Sequence, residues 1–239
     1  MSNKVKIAID AMSGENAPEK IIEGIKISLN SNKENFFYLY GDENLLKKKI
    51  SENKLLNEHC EIINTKDIIL DDESPLAAAK RGKESSMWKA IECLKEKKAH
   101  ISLSAGNTGA LLVISRLLLP TIDGISKPAL AALWPNKNYM SVVLDLGANI
   151  EFNEKNLLDF ASMGASLFIS LFESDSPKVA LLNVGLEETK GHDILKKTYT
   201  AYEKIEEFKE SNQTAGSSKF TLKPKVSYQF SQWVTGNIF

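Results

Sequence analysis

Cysteine is nearly absent from this chain, and nothing in the sequence gives it a metal-binding context. Among 239 residues there are two cysteines, Cys60 and Cys93, which lie far apart and form no C-x-x-C motif. The three histidines add no paired spacing of the kind that metal sites use. Zinc sites and disulfide frameworks need such clustered ligands. We therefore expect no metal and no cofactor, and both cysteines are predicted to be reduced structural residues.

Excess charge of one sign and long apolar runs are also missing. Thirty Lys and Arg residues face 31 Asp and Glu residues, so the composition does not favour nucleic acid as a partner. No apolar run reaches the ~18 residues that a membrane-spanning helix needs. Residues 1–6 lead directly into a predicted strand without a signal peptide. The sequence predicts a soluble, cytoplasmic protein, whose 43% apolar content suffices for a substantial core.

The usual catalytic and nucleotide-binding motifs are absent as well. The chain has no G-x-S-x-G elbow, and neither cysteine has a histidine at a plausible spacing. A covalent acyl-enzyme therefore has no obvious nucleophile. A Walker A sequence and a G-x-G-x-x-G sequence are also missing, so nucleotide binding lacks its usual marker.

What the sequence does contain is a regular alternation of strand-like and helix-like segments. Such alternation predicts an α/β fold of three layers, with a mostly parallel sheet covered by helices on both faces. The predicted strands are residues 5–9, 36–40, 60–63, 101–103, 129–133, 142–146 and 178–184. The predicted helices are residues 18–29, 43–52, 75–97, 108–119, 154–171 and 193–208.

Small and polar residues cluster in the loops that follow these strands, where parallel sheets bind ligands. The most informative loop reads SAGNTGA at residues 104–110, between a strand and a helix. Backbone N–H groups and a helix N-terminus would converge there, which suits a phosphate or acyl phosphate; the alternative is an ordinary βα turn. Lys190, Asn107, Thr108 and Asn149, with the glycine N–H groups, form a donor set suited to a phosphate and an oxyanion. Lys190 has the alternative of a solvated loop lysine, and His192 is interpreted as a surface residue.

Six stretches of the chain together form a recognisable pattern: residues 6–18, 80–86, 104–110, 124–130, 144–149 and 182–192. In this order they resemble the bacterial phosphate acyltransferase family of phospholipid synthesis (PlsX), and the resemblance runs from about residue 4 to about residue 208. It implies a fold similar to phosphotransacetylases and isocitrate dehydrogenases, and a homodimer. It also implies formation of acyl phosphate from acyl-(acyl carrier protein) and inorganic phosphate.

The resemblance also assigns roles to individual residues. Lys190 would bind phosphate and developing negative charge, so phosphate itself would attack the thioester. The turn with Ser104, Gly106, Asn107, Thr108 and Gly109 would bind substrate, and Asp10 and Asn149 would shape the site. A basic cluster would contact the acidic carrier protein, or would form a solvated helix face. That cluster comprises Lys80, Arg81 and Lys83.

Two departures from the family pattern stand out. Residues 13–15 read SGE where the family usually has GGD, and Ser13 would be strained if its backbone were left-handed. Residues 211–239 contain no Asp or Glu, and the family's chains are about a third longer. We therefore expect an incomplete phosphate acyltransferase domain over residues 1–208 and an atypical tail, disordered on one interpretation, over 209–239.

This second departure leaves alternatives open. A truncated or frame-shifted chain would lack family elements for dimer and membrane contact, and would be an inactive remnant. A phosphotransacetylase-type enzyme acting on a coenzyme A thioester is the other alternative.

Overall fold

The computed structural model describes residues 4–135, 140–149, 151–172, 177–182, 193–204, 208–210 and 219–222. The chain divides into two units, with the division between Pro120 and Thr121.

The first unit is built on a four-stranded sheet in which each neighbouring pair is parallel. The strand order is β3-β2-β1-β4, so the first strand lies inside the sheet and the fourth lies beside it. Each strand matches its predicted position to within one residue, because short apolar runs in this chain coincide with buried strands. The strands are β1 (Lys6–Asp10), β2 (Phe36–Gly41), β3 (Cys60–Asn64) and β4 (Ile101–Leu103).

Six helices connect and cover these strands. Four of them are preceded by a polar residue whose side chain accepts a hydrogen bond from the backbone N–H three residues later. This bond satisfies one free donor of the helix's first turn. These capping residues are Asp42, Asn53, Ser85 and Asn107. The helices are α1 (Glu19–Ser31), α2 (Glu43–Ile50), α3 (Lys54–His59), α4 (Pro75–Arg81), α5 (Ser86–Lys95) and α6 (Thr108–Leu118).

The sheet separates two helical layers. On one face, Ile9 and Leu39 pack with Ile25 of α1 and Leu46 of α2 in an apolar cluster, which also includes Leu56 of α3. On the other face, Ala8 and Tyr40 pack with Ala90 and Cys93 of α5. Helices α4, α5 and α6 share a further apolar cluster around Ile91. The three-layer arrangement and the mostly parallel sheet confirm the predicted fold class.

The helix predicted over residues 75–97 is wrong as a single element. It is interrupted by a 3₁₀ turn, Gly82–Glu84, and restarts at Ser86. The Ser85 hydroxyl donates to the Gly82 carbonyl at 2.6 Å and accepts the Trp88 N–H at 3.2 Å, so it closes one helix and caps the next. Serine side chains compete with the helical backbone in this way.

The second unit pairs its strands differently. Strands β5 (Ala131–Pro135) and β6 (Met140–Leu144) are antiparallel, because too few residues join them for a helical crossover. Helix α7 (Glu154–Phe172) follows and contacts β6. A second antiparallel group has the order β7-β9-β8. Its strands are β7 (Lys178–Ala180), β8 (Phe208–Glu210) and β9 (Lys219–Leu222), and helix α8 (Asp193–Lys204) lies between β7 and β8 in the sequence.

Two predictions at the end of the chain have different outcomes. The helix predicted to run to residue 208 does not include Phe208, which lies in β8. The atypical tail over 209–239 contains β9, whereas residues 211–218 and 223–239 lie outside the described part of the chain, so their predicted disorder stays a prediction.

Candidate functional site

The strand order places a switch point between β1 and β4. From β1 the chain moves outward through β2 to β3, and then crosses to the other side of β1 to form β4. In open parallel sheets, ligands bind at the carboxyl ends of the strands where the order reverses. Asp10 is the last residue of β1, and Ser104 directly follows β4. Two predicted site residues therefore meet at the position where the fold favours a ligand.

A chain of hydrogen bonds joins these two strand ends. The Ser104 hydroxyl donates to Asp10 Oδ2 at 2.7 Å, and the Gly106 N–H donates to Ser104 Oγ at 3.2 Å. The Met12 N–H donates to Asp10 Oδ1 at 3.3 Å. Asp10 is fully buried, so these donors replace the water that its carboxyl group loses on folding. Asp10 therefore holds the loops after β1 and β4 in place, and its carboxyl group does not face solvent.

The loop after β1 packs tightly against the turn after β4. Gly14 has a φ of +94°, and a Cβ atom there would lie 2.7 Å from the Ala105 Cβ. A Cβ atom on Gly106 would lie 2.5 Å from the Ser13 Cβ. The strain anticipated at Ser13 is absent, because Gly14 and not Ser13 takes the left-handed backbone. Ser13 is buried, and its hydroxyl has no hydrogen-bond partner among the described residues.

Asn107 is held by contacts on both ends of its amide. Its Oδ1 accepts the Ala110 N–H at 2.9 Å and caps α6. Its Nδ2 lies within hydrogen-bond distance of three carbonyl oxygens, those of Leu70 at 3.3 Å, Asp71 at 3.1 Å and Glu73 at 2.9 Å. The side chain that the sequence suggested as a phosphate ligand therefore serves to hold the turn in this structure.

The first turn of α6 retains free donors. Within the described residues, the N–H groups of Thr108 and Gly109 have no acceptor, since Asn107 caps Ala110 only. Thr108 is exposed and Gly109 is half-buried, so solvent reaches this turn. A Cβ atom on Gly109 would lie 2.6 Å from Pro75 Cγ, so packing requires that glycine. A helix N-terminus with unpaired N–H groups favours an anion.

A groove of about 380 Å³ adjoins the same turn. Ser104 and Ala105 line one part of it, and the rest is formed mainly by apolar side chains of β1, β4 and α1, including Ile9, Ile21 and Leu103. Lys20 of α1 also lines the groove and forms an ion pair with Glu15 at 3.2 Å. An apolar surface thus lies beside the polar turn.

The basic cluster lies on the surface, where Lys80, Arg81 and Lys83 are all exposed. Arg81 also forms ion pairs with Asp67 and Glu73. Sequence reasoning missed both acidic partners, which precede Arg81 by 14 and 8 residues and form no recognisable motif with it. The carrier-protein contact expected of the three basic residues stays a prediction.

Two predicted residues belong to the second unit. Asn149 donates from Nδ2 to the Pro128 carbonyl at 3.0 Å, and its N–H donates to Asp145 Oδ2 at 3.1 Å. Asp145 also accepts the Ala148 N–H at 3.2 Å, so it organises this loop. Lys190, the residue predicted to be catalytic, lies outside the described residues, as does His192.

The thiols are electrostatically unsuited to act as nucleophiles. Burial raises the pKa of Cys60 to about 12, and burial also raises the pKa of Cys93. Both cysteines are free. A thiol is nucleophilic as the thiolate, so these raised pKa values disfavour covalent catalysis by either residue.

Over the residues that the structure describes, no group of three or more His, Cys, Asp or Glu side chains is placed to hold a metal ion. In the same part of the chain, no helix combines the length and apolar character needed to cross a membrane.

Comparison with known families identifies the relationship that the motifs suggested. A family model described as "Fatty acid synthesis protein" matches residues 5–216. The chain belongs to this family. Its resemblance to phosphate acyltransferases is confirmed by curated relatives of that name. The relative from Pelagibacter ubique is 57% identical over 199 residues, which are 83% of this chain and 59% of the relative. The relative from Xanthobacter autotrophicus is 42% identical over 197 residues, which are 82% of this chain and 55% of the relative.

The chain spans less than three fifths of the length of these relatives. Solved structures add a likeness of fold. A EutD phosphotransacetylase from Staphylococcus aureus matches with a TM-score of 0.60 at 20% identity, over 84% of this chain and 63% of that one. A phosphotransacetylase from Streptococcus pyogenes has the same TM-score at 15% identity, over 80% of this chain and 61% of that one. At such identities the likeness supports the predicted fold and nothing finer.

Proposed function

We propose that this chain carries the phosphate site of a phosphate acyltransferase, which forms acyl phosphate from a long-chain acyl-(acyl carrier protein) and inorganic phosphate. The observation that carries the proposal is the pair of unpaired N–H groups on Thr108 and Gly109, at the switch point of the sheet. The names of the relatives support this choice of reaction.

The reaction needs no nucleophile from the protein. An oxygen of inorganic phosphate attacks the thioester carbonyl, a C–O bond forms, and the C–S bond breaks. The carrier thiolate leaves and takes up the proton that phosphate loses, so the products are acyl phosphate and the free thiol. Backbone donors would hold phosphate beside the thioester, and such positioning supplies a large part of the barrier reduction in bimolecular reactions.

Preorganised donors would also stabilise the tetrahedral oxyanion. Removing one such donor costs about 3–4 kcal/mol of transition-state stabilisation where this has been measured. Lys190 is the residue that we propose for binding phosphate and developing charge, on the strength of the family resemblance. Asp10 and Ser104 would keep the two loops in place, because their hydrogen bond joins the ends of β1 and β4.

The apolar groove supports an acyl substrate. It begins at Ser104 and Ala105, so a thioester at the turn would place its hydrocarbon chain along Ile9 and Leu103. Apolar surface favours hydrocarbon because both leave water on binding. The groove does not distinguish carrier protein from coenzyme A, since both deliver the same acyl thioester.

The test is acyl phosphate formation by this chain from palmitoyl-(acyl carrier protein) and inorganic phosphate. Phosphate-dependent product supports the proposal, and a higher rate with palmitoyl-coenzyme A would favour the phosphotransacetylase alternative. No product from a chain that circular dichroism shows to be folded would identify the polypeptide as an inactive remnant.

Lys190→Ala tests the proposed catalytic residue in the same assay. We expect a large loss of turnover with unchanged circular dichroism. The matched control is Lys197→Ala, which removes an exposed lysine of α8 and should leave the rate unchanged. An unchanged rate for Lys190→Ala would remove Lys190 from the mechanism.

The resemblance also supports a cytoplasmic location for this chain and a homodimer for the full-length family. Peripheral membrane contact would be lost with the family's C-terminal elements. Sedimentation of the purified chain shows whether it forms a dimer by itself, and flotation of the chain with anionic vesicles would contradict the loss of membrane contact.

A further inference from the structure

A single guanidinium fastens the loop between β3 and α4 at both of its ends. Arg81 donates from Nη1 to Asp67 Oδ2 at 2.5 Å and from Nε to Glu73 Oε2 at 3.0 Å. Its Nη2 donates to the Ile68 carbonyl at 3.0 Å and also to Glu73 Oε1. Four donor contacts from one planar group hold residues 67–73 in one conformation, which a point charge such as lysine cannot do.

The loop is also closed upon itself at Glu73. The Leu70 N–H donates to Glu73 Oε1 at 3.0 Å, and the Glu73 N–H donates to the Leu70 carbonyl at 3.3 Å. Hydrogen bonds from Arg81 lower the pKa of Glu73, so the carboxyl group stays ionised and paired at neutral pH. The carbonyl oxygens of residues 70, 71 and 73 consequently have fixed positions.

Those carbonyl oxygens are the ones that bind Asn107. Their three contacts with Nδ2 set the orientation of the amide, and this orientation presents Oδ1 to the Ala110 N–H. Pro75, the first residue of α4, packs where a Cβ atom on Gly109 would be, so the start of α6 also contacts the helix that follows the loop. The unpaired N–H groups of Thr108 and Gly109 belong to this same first turn of α6.

We propose that Arg81 is a positioning residue for the phosphate site: through the loop of residues 67–73 it orients Asn107 and the first turn of α6. This inference rests on the proposed function, since it needs an anion at that turn. Arg81 does not touch the anion in this arrangement, because its donors are directed at Asp67, Ile68 and Glu73. Its positive charge also offsets two carboxylates that would otherwise repel an anion nearby.

The experiment compares Arg81→Ala, Arg81→Lys and a matched control. Arg116→Ala is the control, because Arg116 is an exposed arginine on α6 itself and has no partner among the described residues. Hydrogen exchange at the Ala110 N–H reports on the cap. Isothermal titration with inorganic phosphate reports on the site without requiring turnover. Steady-state kinetics with palmitoyl-(acyl carrier protein) then separate the KM for phosphate from the KM for the thioester.

We expect faster exchange at Ala110 and a phosphate affinity reduced at least about tenfold in Arg81→Ala, since small misplacements of positioning groups have effects of this size. The KM for phosphate should rise by the same factor while the KM for the thioester stays unchanged. Arg81→Lys should recover only part of the affinity, and millimolar guanidinium added to Arg81→Ala should recover more. Arg116→Ala should match the wild type.

Each contrary outcome has its own meaning. If Arg81→Ala lowers Tm but binds phosphate as the wild type does, Arg81 is merely structural and the inference is overturned. If the wild-type chain itself binds no phosphate, the phosphate site of the proposed function is overturned, and the role of Arg81 with it. Exchange at Ala110 that does not respond to Arg81→Ala would contradict the coupling through Asn107.

Discussion

The carboxylate of Asp10 accepts a hydrogen bond of 2.7 Å from the hydroxyl of Ser104, a residue 94 positions later in the chain. The bond joins the carboxyl ends of two neighbouring parallel strands, Lys6–Asp10 and Ile101–Leu103. Because Asp10 is fully buried, the interaction fixes the geometry of both loops at the switch point. We expect the proposed phosphate site to depend on this geometry.

Replacing Ser104 with alanine should destabilise the fold. The buried carboxyl group of Asp10 would lose one of its donors, and leaving such a group underpaired costs about 1–3 kcal/mol. Urea unfolding measures the free energy difference. Ser102→Ala in β4, two residues earlier, is the control, since its buried hydroxyl has no partner among the described residues and its loss should be nearly neutral. Equal effects of the two substitutions would contradict the importance of the Asp10–Ser104 bond.

Gly14→Ala should lower both stability and phosphate affinity. The new Cβ atom would lie 2.9 Å from the Ala105 carbonyl oxygen, at a φ of +94° that alanine rarely adopts. Gly24→Ala in α1 is the matched control, because a Cβ atom there meets nothing within 4 Å. That control should stabilise the protein by about 0.5–1 kcal/mol, as expected for glycine within a helix. If Gly14→Ala leaves the Tm of thermal unfolding unchanged, the two loops adjust freely and the prediction is contradicted.

Substitutions at Asn107 should separate its two roles. Asn107→Ala loses the helix cap, at a cost of about 1 kcal/mol, and also loses the contacts of Nδ2. Asn107→Asp keeps an acceptor for the Ala110 N–H but directs an anionic oxygen at the three carbonyl oxygens of the neighbouring loop. Both variants should bind phosphate more weakly by titration calorimetry. If Asn107→Asp binds as tightly as the wild type, the loop contacts of Asn107 do not support the site.

Neither cysteine should react readily in the folded protein. Burial raises the pKa of Cys60 to about 12 and also raises the pKa of Cys93, so at pH 8 both are almost wholly protonated. A disulfide reagent such as dithionitrobenzoate should react slowly with the native chain. Both thiols should react rapidly when urea unfolds the chain, and this reaction of the unfolded protein is the control. Rapid reaction of the native protein at pH 8 would contradict the structural role of the two thiols.

The local pattern of the sequence was sufficient for most elements of the first unit and for the edge of the sheet that carries the site. Period-two and period-3.6 apolar patterns depend on neighbouring residues only, so β1, β2, β4 and α6 lie within a residue or two of their predicted positions. The motif at residues 104–110 likewise marked the turn, because a capping asparagine and a following helix are local features. Glycine content alone was a weaker indication of a phosphate site, because packing against Pro75 is enough to explain the glycine at position 109.

The tertiary structure decided the roles of the polar side chains. Asn107 binds carbonyl oxygens 34 to 37 residues earlier in the chain, and Arg81 binds Asp67 and Glu73; neither set of partners follows from spacing. Hydrogen-bond partners of this kind are fixed only when strands take their order in the sheet and loops pack against each other. The sequence by itself determined most helices and strands of the first unit, because those patterns are local, although it did not predict α3 or the break at Gly82–Glu84. The placement of β4 beside β1, and with it the meeting of Asp10 and Ser104, is a long-range contact that only the packed fold defines.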